Sequence, residues 1–477
     1  MRHVSLSLLA LALMGCPKNG AVNAGDVAPP APEPLEARPF NVPQTQEFTL
    51  SNGIPVVLLE NHEVPLFSIQ LVLGVGSYLD PEGQEGLASA TFDMLNEGAG
   101  EMDAAEISRK LRLMGSSVGA GAGLDGSAIS ASGVVRNLEA TLDIWSTVVR
   151  APSFPAEDWE IMQRRKVANI EASRKDPNSV ASRVLYRLFY GDAYAGRSSS
   201  VESVSAIDTA GMRAFYDGYV GPAQATILVG GALTKEDVLP ALEKAVGDWK
   251  VDVEEGELTV SVPAIESATM YFIDEPGAAQ SVIQTAQTVG TRTDDDYFPF
   301  AMASRALGGS FVARVNMNLR EDKGYTYGAR CSAGYRHGPG MWSCSTSVRT
   351  DATGPSLVEI KKEIDEALDA RPLTEDEIGA AKSSVTNSYP RQFETTGSLL
   401  GQQVTIQRYG LNPDWVASYV PNVRGVTADA ANAAFQNRIT PDNTIWLVVG
   451  DKETIFDDVV ALGLPVVELD REGNPLE

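Results

Sequence analysis

The stretch Gly86–Leu95, G-L-A-S-A-T-F-D-M-L, decides how the rest of the chain is interpreted. It follows a strand-like run, Ile69–Val75, and a turn, Asp80–Gly83, so a helix is predicted to begin at Gly86. Around this helix the order is a hairpin at Asn52-Gly53, a strand, the helix itself, and then further helices and strands. This mixture predicts an α+β fold.

The order of elements recurs in the second half of the chain. Three short matches occur in the same order in both halves: I69-Q70 and I283-Q284, E157-D158 and E375-D376, and V229-G230 and V449-G450. Their spacing drifts slowly in one direction, as insertions into a duplicated domain would cause. The sequence therefore predicts two homologous domains of about 220 residues each.

Domain boundaries follow from changes in composition. Residues 1–15 are typical of a signal peptide and residues 16–44 form a Pro/Ala-rich tether. The first domain is predicted over 45–247, an acidic irregular linker over 248–267, and the second domain over 268–477.

The leader ends in L-M-G-C, which resembles a lipoprotein signal with cleavage before Cys16 and lipid on that cysteine. We therefore expect a bacterial cell-envelope protein that is lipid-anchored and faces the periplasm. The alternative is a soluble secreted protein in which Cys16 has no role. The apolar run before Cys16 is too short to cross a bilayer.

The charge balance limits the partners. A formal net charge of −25 disfavours binding to nucleic acid or to an anionic membrane surface. The chain holds three histidines, His3, His62 and His337, and no two are spaced to share a helical face.

The two remaining cysteines, Cys331 and Cys344, flank the turn signal H-G-P-G. A symmetric hairpin about this turn would set them opposite each other, and disulfides persist in an oxidising compartment. A cross-strand disulfide is one interpretation, and two free buried thiols are the other.

The stretch Gly86–Leu95 resembles the insulinase, pitrilysin and mitochondrial processing peptidase family, whose active members carry G-L-A-H-x-x-E-H-M-L there. In that motif two histidines bind zinc and the glutamate activates water. The corresponding residues in this chain are Ser89, Phe92 and Asp93, so the metal-site positions are degenerate. The resemblance implies two domains, each an antiparallel sheet packed with helices, that form a clamshell.

A second stretch, Leu307–Tyr327, resembles the family's glycine-serine segment followed by L-R-E-x-x-G-x-x-Y. By that pattern, Arg320 and Tyr327 match the pair that holds the substrate backbone and the transition-state oxygen. A guanidinium and a phenol can stabilise such an oxyanion. The alternative is an arginine paired with a carboxylate and a tyrosine packed in a strand. Tyr325, two residues away, could be mistaken for Tyr327.

The family's third zinc ligand is a glutamate on a later helix, and Glu171 is the nearest candidate. Without the histidines, Glu171 is better interpreted as a surface carboxylate, and the role is not transferred to it. The resemblance implies that this chain binds no cofactor and that zinc belongs to a partner.

Three functions remain open. In the first, the chain is a non-catalytic subunit that adds Arg320 and Tyr327 to a homologous zinc-binding peptidase subunit acting on peptides. In the second, it is a lipid-anchored peptide-binding or scaffold protein. An active enzyme with another metal set is the third. A neighbouring gene that encodes H-x-x-E-H would favour the first.

Overall fold

The computed structural model describes residues 44–258, 260 and 262–476. The predicted signal peptide, Cys16 and nearly all of the tether lie outside the described residues. Within the described part, no helix is long and apolar enough to cross a membrane.

In the residues that the structure describes, the first half of the fold contains eight strands and eight α-helices. The strands are β1 (Thr45–Thr49), β2 (Pro55–Glu60), β3 (Leu66–Leu73), β4 (Gly98–Ala99), β5 (Met102–Asp103), β6 (Ser117–Ala122), β7 (Ser127–Val134) and β8 (Ala225–Gly231). The helices are α1 (Leu87–Asp93), α2 (Ala104–Met114), α3 (Leu138–Arg150), α4 (Ala156–Ser173), α5 (Pro177–Tyr190), α6 (Val201–Ser205), α7 (Thr209–Tyr219) and α8 (Lys235–Val246).

The second half contains six strands and eight helices. The strands are β9 (Thr269–Asp274), β10 (Gln280–Val289), β11 (Thr326–Arg336), β12 (Gly338–Arg349), β13 (Ile445–Gly450) and β14 (Val466–Leu469). The helices are α9 (Tyr297–Gly308), α10 (Arg314–Asn316), α11 (Thr353–Leu368), α12 (Glu375–Ser388), α13 (Thr396–Tyr409), α14 (Trp415–Gly425), α15 (Ala428–Arg438) and α16 (Lys452–Val460).

Two six-stranded sheets form the framework and confirm the predicted α+β fold. Their strand orders are β1-β2-β8-β3-β7-β6 and β14-β9-β13-β10-β12-β11. The five strands β2, β8, β3, β7 and β6 therefore occupy the same places as β9, β13, β10, β12 and β11. The repeat inferred from short sequence matches is thus present as a repeated topology.

One of the sequence matches is displaced by one residue. Ile69 pairs with Val229 across β3 and β8, whereas its counterpart Ile283 pairs with Val448 across β10 and β13. The register therefore equates Val229 with Val448 and not with Val449. Two glycines, Gly230 and Gly231, follow Val229, and the second of them is the equivalent of Gly450. Matching the V-G dipeptides therefore pairs Gly450 with the wrong glycine.

The sheets are mixed in strand direction. Most neighbours run antiparallel, but β8 pairs in parallel with β2, and β9 pairs in parallel with both β13 and β14. Parallel pairing needs a long crossover connection, which the intervening helices provide.

Two helices of the first half show the local features that stabilise them. Asp103 caps α2, and its side chain accepts a 2.7 Å hydrogen bond from the backbone N–H of Glu106. The stripe Leu138, Leu142, Trp145 and Val149 is buried along α3. Burial of such a stripe is the main stabilising term for a surface helix.

The two halves exchange helices. Helix α5 packs on β10 and β13 of the second sheet, and α13 packs on β3 and β8 of the first. Gly230 marks the second contact, since a Cβ there would lie 2.7 Å from Thr396 Cγ2. Residues 248–267 contain no regular element where they are described, and Leu258 and Val262 pack beside α5.

The β11–β12 hairpin places Cys331 directly opposite Cys344, and their sulfur atoms are 2.01 Å apart. The register shifts by one residue between Gly334 and Arg336, so the turn is tighter than a symmetric hairpin. The disulfide lies beneath α9, because a Cβ on Gly308 would meet the Cys331 Cβ at 2.5 Å.

In the mature protein we expect Cys331 and Cys344 to be oxidised to each other. The closed loop is short, so the chain-entropy model gives roughly 3 kcal/mol of stabilisation or less. Mass spectrometry of non-reduced peptides should find the two peptides linked. Two free thiols would contradict this expectation.

Candidate functional site

Helix α1 begins on a buried carboxylate. Asp80 accepts hydrogen bonds from the backbone N–H groups of Gly86 (2.8 Å) and Ala88 (2.7 Å). Burial raises the pKa of Asp80, and these hydrogen bonds together with Arg197 oppose the rise. Gly86 has φ of +106°, a left-handed conformation that favours glycine. These contacts fix where α1 starts and therefore where Ser89 and Asp93 point.

A lysine lies between the positions that match the zinc-binding histidines. Lys166 of α4 is 2.6 Å from Asp93 Oδ2 and 3.3 Å from Ser89 Oγ. The Ser89 hydroxyl also lies 3.4 Å from Asp93 Oδ2. The Lys166 side chain is only 23% exposed. The ammonium therefore supplies a positive charge beside the Asp93 carboxylate.

The position that matches the catalytic glutamate is part of the hydrophobic core. Phe92 is fully buried and its ring packs 6.4 Å from the ring of Tyr216. A phenyl group can neither activate water nor bind a metal ion. Ser89 and Asp93 are thus ordinary residues of the helix surface, and Phe92 is an ordinary core residue.

Glu171 is exposed on α4. The residue of α4 that reaches Ser89 and Asp93 is Lys166, five positions earlier. His62 pairs with Glu60 at 3.1 Å, and His337 lies at the tip of the β11–β12 hairpin. Within the described ranges, no three His, Cys, Asp or Glu residues come together as a metal-binding group.

The second candidate stretch, Leu307–Tyr327, is held by buried polar side chains. Asn316 donates to the carbonyl of Phe311 at 2.6 Å and accepts from the backbone N–H of Ala329 at 3.1 Å. Arg314, with 6% of its side chain exposed, pairs with Glu377. The loop, the helical turn and strand β11 are thereby fixed to one another.

Arg320 lies on a π-helical turn over Met317–Asp322, a feature that is frequent at functional sites. Its guanidinium is 4.6 Å from the Phe311 ring centroid and 3.2 Å from the Glu321 carboxylate. Both members of this ion pair are about 40% exposed, so the pair is worth little. Arg320 is therefore accessible from solvent.

Tyr327 projects from a β-bulge at the edge of the second sheet. Thr326 pairs with Val348 and Ala329 with Thr346, so β11 has one extra residue there. The Tyr327 side chain is 89% exposed. It is therefore not packed in the sheet, which was the alternative interpretation of this tyrosine. Tyr325 precedes the strand and is half-buried, which separates the two tyrosines.

Comparison with known proteins identifies the family of this chain. The model for insulinase (peptidase family M16) matches residues 56–200, and that for the peptidase M16 inactive domain matches residues 206–385. The chain belongs to peptidase family M16.

Some relatives of this M16 chain are named as proteases and others as non-peptidase homologs. An uncharacterized zinc protease of Streptomyces coelicolor is 20% identical, with 74% of this chain and 78% of that protein covered. A non-peptidase homolog, YmxG of Helicobacter pylori, is 18% identical over 84% of this chain and 92% of its own length. A structure described as the peptidase M16 inactive domain from Pseudomonas fluorescens aligns with a TM-score of 0.78 at 23% identity, covering 86% of this chain and 98% of that one.

Sequence reasoning about this M16 chain missed three residues that shape the site. Lys166 carries no local signal, because its partners lie on a distant helix. Arg314 and Asn316 lie inside the recognised stretch, but nothing in their spacing indicates burial. An arginine or asparagine next to an exposed loop is usually on the surface.

The purified M16 chain should bind no stoichiometric zinc and cleave no peptide. Ser89 and Phe92 offer no ligand, and Lys166 repels a divalent cation from Asp93. Metal analysis after dialysis and a peptide-cleavage assay check this. One tightly bound zinc ion that is lost in Asp93→Ala would contradict it.

Proposed function

We propose that this chain is the non-catalytic subunit of a two-chain zinc metallopeptidase. In this proposal a homologous subunit with an H-x-x-E-H motif binds the zinc ion. This chain contributes Arg320, Tyr327 and part of the chamber wall. The observation that carries the proposal is the exposure of Tyr327 on a β-bulge, seven residues after Arg320 on the π-helical turn.

The local architecture supports a role for these two residues outside the chain's own fold. A phenol that is 89% exposed contributes almost nothing to the packing of the second half. Asn316 nevertheless holds the backbone of Ala329, which follows it, and Arg314 holds the preceding helical turn to Glu377. Rigid support beneath exposed polar groups is what a preorganised oxyanion-binding pair requires.

The first half of the fold supports the proposal that zinc is bound by the partner and not by this chain. The positions that match the metal ligands hold Ser89 and Asp93, and Lys166 supplies the positive charge there. This arrangement is stable without a metal. The peptide-cleaving step would then depend on the partner's zinc ion, which lowers the pKa of a bound water.

Isolation from the native membrane tests the proposal. The chain, carrying an affinity tag, should co-purify with a homologous H-x-x-E-H protein and with zinc in proportion to that protein. If it is recovered without such a protein or zinc, the alternative gains support, namely a lipid-anchored peptide-binding or scaffold protein.

We further propose that the mature chain begins at Cys16 and is anchored by lipid on the periplasmic face of a membrane. Cys16→Ser should move the protein from the membrane fraction to the soluble fraction, because serine lacks the sulfur atom to which the lipid is attached. Fractionation followed by mass spectrometry of the N-terminal peptide measures this. A Cys16→Ser protein that stays in the membrane fraction would place the anchor elsewhere.

A further inference from the structure

A large cavity lies beside the C-terminal end of α4. Its volume is about 680 Å³, and it is lined by α4, α5 and the loop that follows α5. Four arginines face it: Arg174, Arg183, Arg187 and Arg197. Only three carboxylates, those of Glu85, Asp192 and Glu472, share the lining. The cavity therefore has an excess of positive charge.

One of these carboxylates comes from a distant part of the chain. Glu472 follows β14 in the sequence, and its carboxylate lies 3.2 Å from Arg174 Nε and 3.6 Å from Arg183 Nη2. Its side chain remains 43% exposed. Without Glu472, the lining would keep the carboxylates of Glu85 and Asp192, and Arg174 would keep a long 3.9 Å contact with Glu202.

The segment that carries Glu472 is a compact turn. Asp470 accepts hydrogen bonds from the backbone N–H groups of Glu472 (2.9 Å) and Asn474 (2.8 Å). Arg187 contacts the turn through the Asn474 side chain at 2.9 Å. This turn, residues 470–474, is called the C-terminal turn below.

The arginines retain unused donors. Arg183 and Arg197 each have a buried Nε with no hydrogen-bond partner in the described structure. The contact of Arg197 with Glu85 is long, at 3.8 Å. A buried donor without a partner costs free energy, which a ligand that accepts from it would recover.

Helix α4 runs from the degenerate metal site, which Lys166 contacts, toward the cavity, which Ile170 and Arg174 line. Lys166 and Ile170 on α4 and Arg174 at its C-cap are spaced four residues apart, so they share one helical face. At 1.5 Å per residue, Arg174 lies about 12 Å along the helix from Lys166. An extended peptide passing Ser89 and Asp93 could therefore reach the arginines within a few residues.

We propose that this cavity is a carboxylate-binding site for peptides, and that Glu472 occupies it as an internal ligand. A peptide carboxylate, from an acidic side chain or from a C-terminus, takes the place of Glu472 between Arg174 and Arg183. The C-terminal turn then moves out of the cavity. The inference deepens the peptide-binding part of the proposed function and rests on it, but it requires neither a partner nor catalysis.

Fluorescence anisotropy with the purified full-length chain tests this site. Three short peptides carry an uncharged dye: one has an internal glutamate and an amidated C-terminus, one is neutral with a free C-terminus, and one is neutral and amidated. The wild-type chain should bind the first, the second or both in preference to the third. The first two peptides distinguish the two sources of the carboxylate.

Glu472→Gln should tighten binding of the preferred peptide about tenfold, because the internal competitor is removed. Glu236→Gln, an equal charge change on α8 that does not line the cavity, should leave the affinity unchanged. Adding Arg183→Gln to Glu472→Gln should abolish the gain. If that variant does not fold, Arg174→Gln, which removes the other arginine that contacts Glu472, serves instead.

Two results would overturn the proposal. One is a folded Glu472→Gln protein that binds no more tightly than Glu236→Gln. The other is equal affinity for the neutral amidated peptide. Neither result bears on Arg320 and Tyr327, whose test is turnover in the two-chain enzyme.

Discussion

Tyr327→Phe should lower kcat of the reconstituted two-chain enzyme by on the order of 100-fold, as the loss of one oxyanion donor does elsewhere. In the proposed role, the phenol hydroxyl acts on charge that develops only in the transition state, so KM should change little. Arg320→Ala should have a similar effect. Arg320→Lys should not restore activity, because an ammonium lacks the planar fork of donors.

Tyr325→Phe is the matched control, since it removes the same hydroxyl two residues away from a half-buried site. It should retain full kcat. Subunit association and zinc content should be unchanged in all of these variants, because the proposal assigns the metal to the partner. Full activity of Tyr327→Phe in an intact complex would remove the catalytic role. Weaker association with preserved kcat would assign Tyr327 to the interface instead.

Arg314→Ala should lower the free energy of unfolding by about 3–5 kcal/mol, the cost of breaking a buried ion pair. Arg314 Nη2 donates to Glu377 at 2.6 Å and to the carbonyl of Pro372 at 2.7 Å. Its loss leaves a partly buried carboxylate and a carbonyl without their donor. Denaturant unfolding measures the change. Lys361→Ala, which removes an exposed pair with Asp365, should cost at most about 1 kcal/mol.

The same pair predicts a pH dependence. Burial alone would raise the pKa of Glu377, but hydrogen bonds from Arg314 and Thr374 outweigh it and lower the pKa to about 2. A lowered folded-state pKa adds stability above the ordinary value of 4.5, which is lost as the pH falls toward 2. The contribution is on the order of 3 kcal/mol. Arg314→Ala should flatten this acid limb, and an unchanged slope would show that other groups dominate.

The sequence by itself determined the features that depend on neighbours along the chain. The alternation of strands and helices, the cap at Asp103 and the buried stripe of α3 follow from local periodicity and hydrogen bonding. The repeat was visible because both halves keep the same order. The degenerate metal positions were visible because a ligand is defined by its residue type, and Ser89 and Phe92 are the wrong types.

Only the tertiary structure decided what took the place of those residues. Lys166 lies far from Asp93 in the sequence, and only the packing of α4 against α1 brings the ammonium to the carboxylate. The exchange of α5 and α13 between the sheets likewise has no local signature. An amphipathic helix shows that one face is buried, but not against which sheet.

The same limit applies to the two candidate sites. The sequence identified Arg320 and Tyr327, but the exposure of Tyr327 depends on one extra residue in β11, which is defined only by pairing with β12. Glu472 carries no signal at all until the C-terminal turn meets Arg174 and Arg183. Ion pairs and bulges are set by distances between distant segments, and those distances exist only once the chain has folded.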